Sequence, residues 1–222
     1  CRLNSLKIFL AMSKSKEGAQ KMLYKTALID TIVKVAGTMS PEENLFSMAI
    51  FANLSRNAEN MNKLLLTPNL LQALARGQKS KNDECRKCAT LALQNLSCNK
   101  IFRRRIGQAE ICLPGITGEA LSNKTNKVAL ESKFSAVNTI RNLAVEPSNV
   151  PGMMGTPGLT ASIMLAATDT SGEEATRYIA ADALSAMSQW LDSVADTCIE
   201  RNGIELKGRS LASMRVYGHK AW

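Results

Sequence analysis

Large and small apolar residues return along this chain at a fixed helical spacing, and the pattern then repeats. The phrase "LQNLS" in "CATLALQNLSCN" (88–99) has near-copies in "FANLS" (51–55) and "IRNLA" (140–144), with weaker echoes in "FLAMS" (9–13) and "LSAMS" (184–188). Aligned on the apolar residue after the central position (Met12, Leu54, Leu96, Leu143 and Met187), the copies stand 42, 42, 47 and 44 residues apart. Six residues before the central position come Ser5, Ser47, Ala89, Ala136 and Ala180, all small. Three before it stand Ile8, Ile50, Ala92, Thr139 and Ala183, and two before it Phe9, Phe51, Leu93, Ile140 and Leu184. Offsets of −6, −3, −2 and +1 share one stripe of an α-helix, so each copy predicts a long helix packing that stripe inward. The small column predicts close helix–helix approach.

Capping chemistry places the helix starts. "SPEE" (40–43) offers a Ser cap, a Pro at the first helical position and Glu43 to close a capping box; "SGEE" (171–174) offers the same geometry, and Asn82 or Ser80 serves the third copy. A polar turn follows each long helix, then shorter amphipathic stretches such as "NLLQALA" (69–75) and "GLTASIMLAA" (158–167), with Pro68, Pro114 and Pro157 near their entries. The Gly-rich "PGMMGTPG" (151–158) reads as a loop replacing one short helix. A helical unit of 40-odd residues marks an α-solenoid.

The chain resembles the armadillo repeats. A small residue, two variable ones and Ala-Leu-x-Asn-Leu is that family's third-helix signature. "ATLALQNL" (89–96) matches it at every marked position, "AVNTIRNL" (136–143) and "AADALSAM" (180–187) with a departure or two, and "SMAIFANL" (47–54) and "SLKIFLAM" (5–12) more loosely. The resemblance implies an all-α, right-handed solenoid of about five repeats in one domain, divided near 1–39, 40–81, 82–123, 124–170 and 171–222. The related HEAT repeat shares the solenoid but lacks the Asn. The nuclear-import adaptors carry a Trp four residues before the Asn, where this chain has Ala49, Leu91, Asn138 and Asp182; that function is not expected. Cys1, not Met, opens the chain close to a third helix, so we expect further repeats upstream.

In armadillo proteins the third helices line a concave groove. The resemblance therefore implies that Asn53, Asn95 and Asn142 face a groove and clamp the backbone of an extended peptide, each bond netting about 1 kcal/mol. The alternative is that these amides tie neighbouring repeats together. Ala11 and Ala186 leave the outer copies without a rung. Positions one and two turns upstream add Phe46, Lys87, Leu91 and Asn138 as candidate partner contacts, with Lys7, Ala49, Cys88, Ser135, Tyr178 and Asp182 on the same wall. Such a wall suits a peptide with apolar anchors and some acid.

Composition narrows the alternatives. Apolar residues make up 45% and aromatics 5%, with 10 Met, which favours helix-on-helix packing. The net charge of +9 is uneven: +5 over 1–40, +2 over each of 41–82, 83–123 and 124–167, and −2 over 168–222. The +11 on residues 1–167 keeps nucleic-acid binding as a second class, against which stand few aromatics for base stacking. "RRR" (103–105) is a solvated face or an anion contact. A third class is the substrate-recognition arm of a larger protein such as a ubiquitin ligase. Cys85 and Cys88 form a C-x-x-C near Cys98 and Cys112, but on an amphipathic helix they read as packing thiols, with no metal and no cofactor. His219 has no catalytic partners in sequence, so no enzyme is expected. Sequons stand at Asn53, Asn95 and Asn123, but nothing suggests secretion. With no run of 18 apolar residues, we expect no membrane span and a monomer in the cytoplasm or nucleus.

Overall fold

A computed structural model describes residues 2–38 and 40–202, with side chains described to 196. His219 and the end of the fifth expected repeat lie outside these residues. Two compact units divide the chain, one ending at Met187 and the other starting at Ser188. The elements of the first are α1 (Arg2–Ser13), α2 (Lys16–Tyr24), α3 (Thr26–Val35), α4 (Pro41–Leu54), α5 (Met61–Leu65), α6 (Leu70–Gln78), α7 (Asp83–Ser97), α8 (Lys100–Gln108), α9 (Leu113–Ala120), α10 (Lys127–Ala144), α11 (Val150–Gly155) and α12 (Leu159–Thr168). It closes with the start of α13 (Glu174–Asn202), whose remainder is the described part of the second unit. No strand occurs among the described residues. One long helix alternates with two short ones, which is an all-α solenoid.

The long helices stack in the order α1, α4, α7, α10, and α3, α6, α9 and α12 form a second layer, also in sequence order. The small column sits where the long helices meet: Ser47, Ala89, Ala136 and Ala180 are fully buried. Around it Ile50, Phe51, Leu54, Leu93, Leu96, Ile140 and Leu143 are all 1% exposed or less. Each such aliphatic or aromatic side chain gains about 1.5–3 kcal/mol from burial. In α1 the stripe is only partly covered, with Ser5 exposed and Ile8 60% exposed.

Ser40, Asn82 and Asn126 cap the long helices through the amides of Glu43, Cys85 and Ala129. Glu43 closes no box: its carboxylate accepts from Thr38 Oγ1 at 3.1 Å and pairs with Arg2 at 3.4 Å. Ser171 is not the expected cap. Its hydroxyl and amide turn back to Asp169 Oδ1, at 2.6 and 3.1 Å, so α13 begins only at Glu174. The expected loop at 151–158 is also corrected, because Val150–Gly155 is helical. Pro151 falls in the first turn, where its missing N–H costs nothing. Fully buried Val150 and Met153 supply the packing that outweighs the glycines. The turns "TPNL" and "TPGL" enter α6 and α12 alike, with Asn69 (φ 58°) and Gly158 (φ 78°) after the proline in the left-handed region that such turns need.

Ion pairs tie the helices of one unit together and join that unit to the next. Arg86 of α7 meets Glu119 of α9 at 2.7 Å and also Asp83, which in turn accepts from Lys124 at 2.8 Å. Hydrogen bonds from Lys124 and Arg86 hold the Asp83 carboxyl at about 2, below its ordinary 3.8. A depressed carboxylate contributes stability that is complete above the ordinary value and lost as pH falls through the lower one. Urea titrations should therefore show wild type losing stability between pH about 4 and about 2 more steeply than Asp83→Asn.

Close approach also dictates two glycines differently. A Cβ on Gly18, in the first turn of α2, would stand 2.1 Å from the Met12 carbonyl oxygen, whereas one on Gly118 in α9 would meet nothing within 4 Å. Gly18→Ala should destabilise by about 1–3 kcal/mol despite alanine's helix preference. Gly118→Ala should stabilise by about 0.5–1 kcal/mol. Equal shifts of the two urea midpoints in one direction would contradict this packing.

Candidate functional site

With the packing stripe committed, each long helix leaves one face uncovered. On α4 that face carries Leu45, Phe46, Ala49 and Asn53; on α7 Lys87, Cys88, Leu91, Gln94 and Asn95; on α10 Phe134, Asn138 and Arg141. These residues are half-buried, neither packed like the core columns nor fully open to solvent. The sequence-predicted Phe46, Lys87, Leu91, Asn138, Asn53 and Asn95 all lie on this uncovered stripe. Two placements differ by a small rotation of α10. Ser135 is buried and Phe134 takes its place on the face, while Asn142 is only 8% exposed. Fixed offsets miss Leu45, Gln94, Phe134 and Arg141; burial of both neighbouring columns brings them out.

The three asparagines share one contact. Asn53 Nδ2 donates to Ser13 Oγ at 2.9 Å, Asn95 Nδ2 to Ser55 Oγ at 3.1 Å and Asn142 Nδ2 to Ser97 Oγ at 2.9 Å. Each acceptor is the serine that follows the aligned apolar residue (Met12, Leu54 or Leu96) of the preceding long helix. Asn95 also reaches the Ala52 carbonyl at 3.3 Å, and Asn142 the Cys98 sulfur at 3.7 Å. The amide NH2 thus ties each repeat to the one before. Oδ1 of Asn142 accepts from Arg141 at 3.5 Å, whereas Asn53 and Asn95 bond within the described residues through Nδ2. A sequence signal existed: "NLS" in the second and third copies puts a Ser where the next Asn needs it. Both members are lost at the next step, where Ala144 and Ala186 occupy the serine and asparagine positions.

Two of the cations on this face are already paired with carboxylates. Lys87 contacts Glu84 at 2.8 Å and Glu131 of α10 at 3.2 Å; burial would lower its pKa, but these two carboxylates outweigh that and raise it. Arg141 meets Asp182 of α13 at 2.6 Å, and Lys7 lies 6.0 Å over the Phe46 ring. Of these three cations only Lys7 has no ion pair among the described residues, so the face carries little net charge, with Leu45, Phe46, Ala49, Leu91 and Phe134 as its apolar positions.

The triple arginine is equally committed. Arg103 donates to the Ser97 and Cys98 carbonyls at the end of α7, Arg104 to Glu146 at 2.9 Å and Arg105 to the Leu65 carbonyl at 2.8 Å. Cys85 and Cys112 are fully buried. Desolvation pushes Cys112 up to about 12 and half-buried Cys88 to about 11, so these thiols behave as packing groups, not nucleophiles. No helix among the described residues is long and apolar enough to cross a membrane.

Solved structures share this architecture. A designed armadillo repeat protein in complex with the peptide (KR)4 is 18% identical, with a TM-score of 0.69 over 96% of this chain and 88% of that one. An engineered protein is 15% identical, with a TM-score of 0.67 over 96% and 85%. The armadillo repeats only protein from Plasmodium falciparum is 10% identical, with a TM-score of 0.66 over 83% and 79%. No family model matches the sequence, nor does any curated protein. The chain therefore has the armadillo-repeat fold.

If the amides tie repeats together, Asn142→Ala and Ser97→Ala should each cost about 1–2 kcal/mol, and the double variant less than their sum by about 1 kcal/mol. Strict additivity of the urea-derived values would remove the tie.

Proposed function

We propose that this chain is a non-catalytic scaffold that holds an extended segment of a partner protein along the uncovered stripes of its long helices. The reading is carried by the regular series of Asn53, Asn95 and Asn142, whose NH2 groups are occupied by the preceding repeat. In Asn53 and Asn95 this leaves the acceptor Oδ1 for a peptide N–H. Phe46, Leu91 and Phe134 lie on the same stripes and would receive apolar side chains, with Asn138 one turn after Phe134 on α10. The neighbour bound to a peptide supports a peptide as the class of occupant. With Lys87 and Arg141 held by carboxylates, this face selects apolar anchors more than acid. A phosphate-backbone reading finds less support, since all three arginines of 103–105 have partners within the chain.

The test separates binding from stability. Pull-downs from nuclease-treated lysate would compare wild type, the Asn53→Ala, Asn95→Ala, Asn142→Ala variant and the Ser13→Ala, Ser55→Ala, Ser97→Ala variant. Both triple variants lose the inter-repeat bonds and should melt at lower temperature. Only the asparagine variant should lose the captured proteins. Loss in both alike would reduce the asparagines to structural ties, and an empty wild-type lane after nuclease would favour nucleic acid.

A further inference from the structure

Lys87 and Arg141 of the long-helix face are paired with carboxylates, yet the chain carries a net +9. Part of that excess collects in one place. An open cleft of about 670 Å³ lies on the second-helix layer, between the end of α3 and the length of α6, with Ile111 at its edge. Lys34, Arg76 and Lys79 border it, and no carboxylate is among the lining residues. Among the described residues neither lysine holds an ion pair, and Arg76 bonds through Nε, to the Gln72 carbonyl at 3.3 Å. Gly37 makes room for the arginine: a Cβ there would stand 2.9 Å from Arg76 Nη1.

Cations in the last turn of a helix normally complement its dipole, and Lys34 and Arg76 occupy such turns. That effect is too small here. Two helix ends offer about half a negative charge each, against three full positive charges. The remainder is an uncompensated field at a concave site of the size that takes ligands.

We propose that this cleft binds an acidic segment of a partner protein, on a layer separate from the long-helix face. Apolar Val33 and Ala75 floor it and Ile111 is 43% exposed beside it, which suits a peptide that carries an apolar side chain among its acids. No aromatic ring is among the residues lining the cleft for a base to stack upon, which disfavours single-stranded nucleic acid.

The probe is a fluorescein-labelled peptide of glutamates with a single leucine, read by fluorescence anisotropy against the full chain at low ionic strength. Wild type should bind, and the Lys34→Glu, Arg76→Glu, Lys79→Glu variant should bind at least about tenfold more weakly. A control with the same change in net charge, Lys14→Glu, Arg56→Glu, Lys100→Glu, should stay within about threefold of wild type. The milder Lys34→Gln, Lys79→Gln variant should show a partial loss, and thermal melts would check folding throughout. Equal losses in cleft and control variants would overturn the proposal, as would no binding by wild type. A single-stranded oligodeoxynucleotide that binds more tightly and displaces the peptide would overturn it too. The Asn53→Ala, Asn95→Ala, Asn142→Ala variant should keep its affinity for this probe, so failure here and failure of the scaffold reading are separate results.

Discussion

The contact between successive long helices at Ser47, Ala89 and Ala136 is the constraint on which the rest depends. One unit of a long and two short helices has no core of its own, so its apolar stripe is buried only by a neighbour. A small side chain at the crossing lets the helices approach until Phe51, Leu93 and Ile140 close around it. That approach fixes the rotation of every long helix about its axis. Once rotation is fixed, the residues left outward are fixed too, and each long helix keeps one uncovered stripe.

The asparagine series arises from the same contact. At the close spacing set by the small column, an NH2 at the central position reaches the serine of the helix before it. The bond reports register as much as it adds stability: a one-residue slip would separate donor from acceptor. The loss of both members at Ala144 and Ala186 fits a paired requirement better than independent drift. An amide whose NH2 is so engaged still has its carbonyl oxygen to offer, which is the end the proposed clamp would use. The two roles open to these residues, clamp and tie, are thus not exclusive; they use opposite ends of one side chain.

Fold class, the order of helices and the buried stripe are legible in the sequence because they rest on periodicity, which tolerates single departures. The differences are local. The spacing of Ser171 to Glu174 suits a cap, but Asp169 competes for its hydroxyl. The glycines of 151–158 suggest a loop, yet Val150 and Met153 have a hydrophobic layer waiting. Sequence offsets place Ser135 on the groove wall where Phe134 stands, because a step of seven or eight residues cannot resolve the rotation of an 18-residue helix. Charge pairing across units, such as Lys87 with Glu131, joins residues 44 apart and is invisible until the repeat is folded.

Pairing across units also decides where charge remains for function. A basic residue on a long-helix face has carboxylates of the same and the next long helix within reach, and Lys87 and Arg141 use them. A basic residue at the end of a second helix looks onto a layer where α3 and α6 present few acids, so Lys34 and Lys79 stay unpaired among the described residues. Geometry therefore sorts one net charge into a near-neutral stripe and a positive cleft. If both proposed sites bind, a partner segment engaging the two would need apolar and acidic stretches in separate parts of its sequence, and two different segments would not compete.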